Sequence, residues 1–109
     1  MGTFWENNND IVYLDELLNY LKDQPIVSLI TKDIKHLLKN KKVDTHRINK
    51  CDINFPIILL KENNVLTTII DGRHRLTKIL QLKQNEVKCK ILDLNQSPIK
   101  YQNIFKSVV

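Results

Sequence analysis

Five consecutive residues, Asp71-Gly72-Arg73-His74-Arg75, concentrate the chemistry of this sequence. The chain carries fourteen lysines but only three arginines, Arg47, Arg73 and Arg75. Its two glycines are Gly2 and Gly72, so two of three arginines and the one internal glycine fall within four residues. An apolar β-rich run (LTTII, residues 66–70) leads into this stretch, and a helical pattern (RHRLTKIL) leaves it. The first N–H groups of a helix lack intrahelical partners, and the helix dipole adds partial positive charge there. That end is suited to a phosphate. Gly72 permits a tight turn and a close approach. Arg73, His74 and Arg75 supply donors, the arginines in a fork that matches phosphate oxygens. Asp71 is expected to cap the helix, orient an arginine or help hold Mg²⁺ against a phosphate. Asp71 and His74 are the catalytic candidates, His74 as a proton carrier or hydrogen-bond donor. Two arginines in the first turn oppose the dipole, and an anion at that end would resolve the conflict.

A second, fainter constellation is Asp44-Thr45-His46-Arg47, which echoes the first. His46 and Arg47 are candidates for a second phosphate or substrate contact, against the plainer reading of a surface loop. Asp44, Glu62 and Asp71 are the available carboxylates, without a paired-carboxylate metal motif. Lys32, Lys35, Lys39, Lys41, Lys42 and Lys50 form a basic stretch, either a solvated face or a track for a nucleic-acid backbone. No aromatic residue interleaves with it, which argues against base stacking on a single strand.

The elements that must position these residues emerge from periodicity. Ile11, Leu14, Leu17, Leu18 and Leu21 predict a helix over residues 10–23, capped by Asn9 or Asp10 and ended by Pro25. Residues 26–30 predict a strand, and residues 31–40 a helix with Thr31 as its cap. Residues 39–55 read as a polar, basic loop, with or without a helical turn. Residues 57–61 and 66–70 predict a hairpin whose turn, Glu62-Asn63-Asn64, uses asparagine in place of glycine. Residues 73–83 predict a helix burying Leu76, Ile79, Leu80 and Leu82. Residues 87–92 predict a strand with Val87, Cys89 and Ile91 inward. Ser97-Pro98 predicts the start of a last helix over 98–106.

The 109 residues suit one small mixed α/β domain, with a short mixed sheet flanked by helices. We divide it into an N-terminal helical extension (1–24), a core (25–95) and a C-terminal helix (96–109). The composition is 42% hydrophobic and 27% charged, which excludes a disordered tail or a collagen-like chain. No run reaches the length of a membrane span, so no membrane partner is expected. Residues 1–10 do not read as a signal peptide. Cys51 and Cys89 are too few for a disulfide framework, and no zinc spacing is present. These features predict a reducing, cytoplasmic setting. The net charge of +5 hides an asymmetry: residues 1–24 hold five acids against Lys22, and the remainder is strongly basic. Such a body attracts nucleotides, DNA or an acidic protein partner.

Residues 56–92, with their Pro-Ile strand start, hairpin, Asp-Gly-x-His-Arg helix start and closing strand, resemble the core of the ParB/sulfiredoxin superfamily. The resemblance implies that fold, and a nucleoside triphosphate with Mg²⁺ as cofactor, its phosphates held by Gly72, Arg73, His74 and Arg75. It also implies alternatives: a metal-dependent ParB-like nuclease, a small-molecule kinase, or a non-catalytic DNA- or protein-binding module. An enzyme of this kind would be an NTPase, phosphotransferase or nuclease. The sulfiredoxin cysteine position is occupied by Arg73, so sulfinic acid reduction is not expected. The helix-turn-helix domain and the Glu-Asn-x-Gln-Arg motif of partition proteins have no counterpart here.

Overall fold

The computed structural model describes residues 2–7, 9–39 and 41–106. Its organising strand is β4 (Ile57–Glu62), whose first four residues, Ile57-Ile58-Leu59-Leu60, are all buried. A strand that is apolar at every position must be covered on both faces. Ile57 and Leu59 face one apolar cluster, and Ile58 and Leu60 face another. Burying each contributes about 1.5–3 kcal/mol relative to exposure.

The sheet has the order β3-β6-β4-β5. Strands β5 (Val65–Asp71) and β4 form the predicted antiparallel hairpin. Its turn is built by Asn63 (φ 52°) and Asn64 (φ 67°), both left-handed, as expected of asparagines replacing glycine. Asn63 Oδ1 also accepts from the Asn95 amide at 3.0 Å, and its backbone N–H donates to Asn95 Oδ1 at 2.7 Å. Strand β6 (Glu86–Asp93) runs parallel to β4 on its other side. Strand β3 (Val27–Ile30) pairs antiparallel with β6 at the sheet edge.

One face of the sheet is covered by α2 (Thr31–Ile34), the 3-10 turn Lys35–Leu38 that continues it, and α4 (Arg73–Gln81). Ile34, Leu37, Leu76 and Ile79 pack there on Ile57, Leu59, Ile69, Val87 and Cys89. Burial pushes the Cys89 thiol up to about 12, so it is a core residue without nucleophilic character. The other face is covered by both ends of the chain. Strands β1 (Phe4–Glu6) and β2 (Ile11–Tyr13) form a small hairpin, continued directly by α1 (Leu14–Tyr20). Helix α5 (Ile99–Phe105) packs beside them. Val12, Leu17, Leu21, Tyr101, Ile104 and Phe105 join Ile58, Leu60, Leu92 and Leu94 in one cluster. Trp5 lies edge-on to Phe105, with ring centroids 5.5 Å apart. No helix among the described residues is long and apolar enough to cross a membrane.

Several elements differ from expectation. The segment 1–24 is a strand pair plus a seven-residue helix, because pairing with β1 draws Ile11 and Val12 out of the helical pattern. Tyr13, not Asn9 or Asp10, occupies the cap position of α1. The predicted helix 31–40 is one α-helical turn and one 3-10 turn, and Thr31 is its first helical residue instead of its cap. Residue 40 lies outside the described residues. Helix α4 ends at Gln81, leaving Leu82 exposed. On β6, Leu92 reaches the second cluster, while Ile91 is half-buried. The last helix spans 99–105, with Ile99 exposed, and Ser97 donates to the Asp93 carbonyl instead of capping it. The final residues of the segment 96–109, 107–109, lie outside the described residues.

The largest departure is the segment read as a loop. Within 39–55 lies α3 (Thr45–Lys50), capped by the Asp44 carboxylate accepting His46 N–H at 2.9 Å. Helix α4 ties it down. Lys78 Nζ donates to the carbonyls of Asn49 (3.1 Å) and Cys51 (3.0 Å) at the end of α3. His74, one turn earlier on α4, meets Asp44 at its start.

Candidate functional site: the strand-to-helix turn at Gly72

Strand β5 carries two register shifts against β4, between Ile58/Leu59 and between Leu60/Lys61. Extra residues of this kind kink and twist a strand and re-aim the chain beyond it. The next residue is Gly72, at φ 109°, in the cap position of α4. A Cβ there would sit 2.6 Å from Ile57 Cγ2 and 2.8 Å from Ile57 Cβ. The missing side chain therefore makes room for β4, and the helix start is pressed onto the sheet. Gly72 has no side chain to cap α4, and no other side chain among the described residues does so, which leaves the N–H groups of its first turn open there.

Asp71 does not cap the helix. Its Oδ2 accepts Arg75 Nη2 at 3.0 Å, and Arg75 Nη1 donates to the Pro56 carbonyl at 2.7 Å. Arg75 is thus a brace between the end of β5 and the start of β4. Half of the electrostatic conflict in the first turn is settled by this internal pair. Arg73 makes no ion pair among the described residues and is exposed.

A cleft of about 180 Å³ opens at this turn, lined by Asp71, Gly72, Arg73 and His74, by Lys41 and Arg47, and by Thr3 and Trp5. Three cations thus meet one carboxylate, and that carboxylate is already paired. The echo motif is therefore adjacent to the first, as the second-contact expectation requires of Arg47. His46 is not among the lining residues; it is exposed, and its N–H serves the cap of α3. Arg75 also does not line the cleft; it borders an apolar groove with Leu14, Leu18 and Phe55.

His74 is buried, and its Nε2 accepts the backbone N–H of Asp44 at 3.1 Å. Accepting there requires the neutral ring, with its proton on Nδ1. Its pKa is lowered from the ordinary value by burial first, then by Arg47 and Arg73, with Asp44 opposing. The ring latches the 41–47 segment against α4 and so delivers Lys41 and Arg47 to the cleft.

The three carboxylates do not converge. Asp71 stands opposite Ile58 near the start of β4, while Glu62 ends that strand, about 13 Å further along at strand spacing. Asp44 is spent on its cap. Among the described residues no three His, Cys, Asp or Glu side chains are grouped to hold a metal. Asp71 alone is a sparse donor set, so a magnesium ion would arrive with the phosphate it bridges.

Sequence reasoning missed Thr3, Trp5 and the role of Lys41 as a wall of this cleft. Thr3 and Trp5 arrive through the β1–β2 hairpin, for which no local signal exists. For the 41–47 segment the signal was His74 and Lys78, four apart on one face of α4.

Comparison with protein-family models, curated proteins and solved structures finds no match to this chain.

Proposed function

We propose that this chain binds the phosphate groups of a nucleotide or of DNA at the Asp71–Arg75 turn, in a DNA-associated role, as its resemblance to ParB-like domains implies. One observation carries the reading: Lys41, Arg47 and Arg73 surround the uncapped start of α4 in a single cleft. Backbone N–H groups at a helix start, joined by arginine forks, make a phosphate site. At about 180 Å³ the cleft takes a phosphate or diphosphate end, and the remainder of the ligand lies outside it.

The engagement of His74 with Asp44 and of Asp71 with Arg75 favours a binding module over a catalyst. Within this reading both are positioning residues. Should turnover accompany binding, positioning and charge neutralisation would drive it, as in phosphoryl transfer generally.

The test is a thermal-shift panel with ATP, CTP, GTP, UTP and a DNA duplex, each with and without Mg²⁺. At about 100 times Kd a ligand stabilises by about 2.7 kcal/mol, a shift of several degrees. The shift should vanish in Arg47→Gln/Arg73→Gln, whose own melting point stays near that of the parent. A flat panel, or a shift untouched by the double substitution, would sink the reading.

A further inference from the structure

A second cavity lies at the other end of α4. It measures about 670 Å³ and shares no lining residue with the Gly72 cleft. Its walls are the junction of β3 with α2 and the turn from α4 into β6, joined by Thr31 N–H donating to the Asn85 carbonyl at 2.9 Å. Lys32, Lys35 and Lys83 line it, with Glu86 as the single carboxylate and Leu80 on its apolar side. None of these four charged side chains makes an ion pair or hydrogen bond among the described residues.

A helix C-terminus ordinarily repels anions. Here two carbonyls of the last turn already have donors: Lys83 N–H donates to Leu80 O at 3.0 Å and Gln84 N–H to Ile79 O at 3.2 Å. This is the Schellman closure, which normally places glycine where Lys83 stands. Lys83 takes the left-handed conformation instead, at φ 57°. A lysine therefore occupies a position that backbone preference assigns to glycine, and it lines the cavity.

A second, independent observation points to a ligand. Thr31 also lines the cavity, is 2% exposed, and its hydroxyl is a buried side-chain polar atom without a hydrogen-bond partner. Buried hydroxyls are ordinarily paired, since an unpaired one forfeits its hydration.

We propose that this cavity is a second binding site, for a small organic polyanion, a phosphate ester or a polycarboxylate. Lys32, Lys35 and Lys83 neutralise its charge, its oxygen accepts from the Thr31 hydroxyl, and its short apolar body lies against Leu80. The volume is that of a small-molecule site, and Lys32, Lys35 and Lys83 line one cavity. Both features favour a compact ligand over a polymer.

The test is an amide NMR titration of the full chain with inorganic pyrophosphate and, separately, with citrate, with duplex DNA and polyglutamate as polymer controls. The two arms distinguish phosphate from carboxylate chemistry. Saturable shifts are expected at residues 31, 32, 35 and 83–86 in at least one arm. Affinity at those amides should fall about tenfold in Lys32→Gln/Lys35→Gln and in Lys83→Gly, whose backbone already fits glycine. Thr31→Val should weaken binding while raising the melting point of the free protein. Arg73→Gln should leave these shifts intact. Shifts confined to residues 71–74, shifts indifferent to the lysine substitutions, or shifts produced only by duplex DNA or polyglutamate would overturn the proposal. So would no saturable shift in either arm.

Discussion

His74 Nε2 and the backbone N–H of Asp44, thirty residues apart, meet at 3.1 Å and join the two His-Arg-containing segments, 44–47 and 71–75, into one cleft. The bond requires a neutral imidazole. Because the His74 pKa is lowered below the ordinary 6.5, folding favours the neutral ring. The unfolded chain then binds the extra proton, so stability rises with pH across that interval. The contribution is complete above about pH 6.5 and is lost as pH falls through the lowered folded value. Urea denaturation across pH 4.5–8 should show this slope (about 1 proton at most). His74→Gln, which keeps an acceptor but does not titrate, should flatten it. An unchanged slope in that variant would assign the effect elsewhere.

Arg75 joins Asp71 to the Pro56 carbonyl from a largely buried position. Arg75→Ala should cost about 1.5–3 kcal/mol, the range for hydrogen bonds to a charged group. Arg75→Lys should recover only part of it, because one ammonium cannot reproduce the guanidinium fork. Chemical denaturation of both variants measures this, and an Ala variant as stable as the parent would show that Arg75 braces nothing.

Gly72→Ala meets two obstacles, a positive φ and Ile57 inside van der Waals distance. A loss of at least about 2 kcal/mol is expected. Ile57→Val in the same chain should regain nothing, since valine keeps the Cβ and Cγ2 that crowd the site and the Ile57 Cα would also stand 3.2 Å away. Chemical denaturation measures the loss, and a Gly72→Ala chain as stable as the parent would show that neither obstacle matters.

The hairpin turn places two asparagines at positive φ. Asn64→Gly should raise stability by up to about 1 kcal/mol, since glycine adopts that conformation without penalty. Asn63→Gly should not, because it forfeits the side-chain bond to Asn95. Melting curves of the two variants distinguish them directly.

For duplex DNA, Arg73→Gln and Lys41→Gln should each weaken binding similarly across sequences. Each should also lower the slope of log K against log salt by about 0.9 for every phosphate left unneutralised. A variant that changes sequence preference while leaving the salt slope alone would place that side chain against a base.

The sequence was legible wherever the signal was local. The IILL run announced a strand. The Asn-Asn turn announced the hairpin, and the lone internal glycine marked the change from strand to helix. The concentration of arginines beside that glycine singled out the candidate site. Periodicity failed at Ile11 and Val12 because strand pairing overrode a helical pattern, and at residues 45–50 because their helix has few apolar residues and is held by groups on α4.

Composition, periodicity and turn chemistry thus determined by themselves the mixed α/β class, the hairpin and the identity of the helix-start turn. Only the tertiary structure decided which of its side chains face the cleft. Arg75 turned to brace the strands because Pro56 offered a carbonyl within reach, and His74 became a latch because Asp44 brought it an N–H. Arg73 kept an exposed place, and Lys41 and Arg47 joined it from a segment about thirty residues away. Such choices depend on the groups that stand within about 3 Å once the chain has closed on itself, and partners distant in sequence leave no periodic trace.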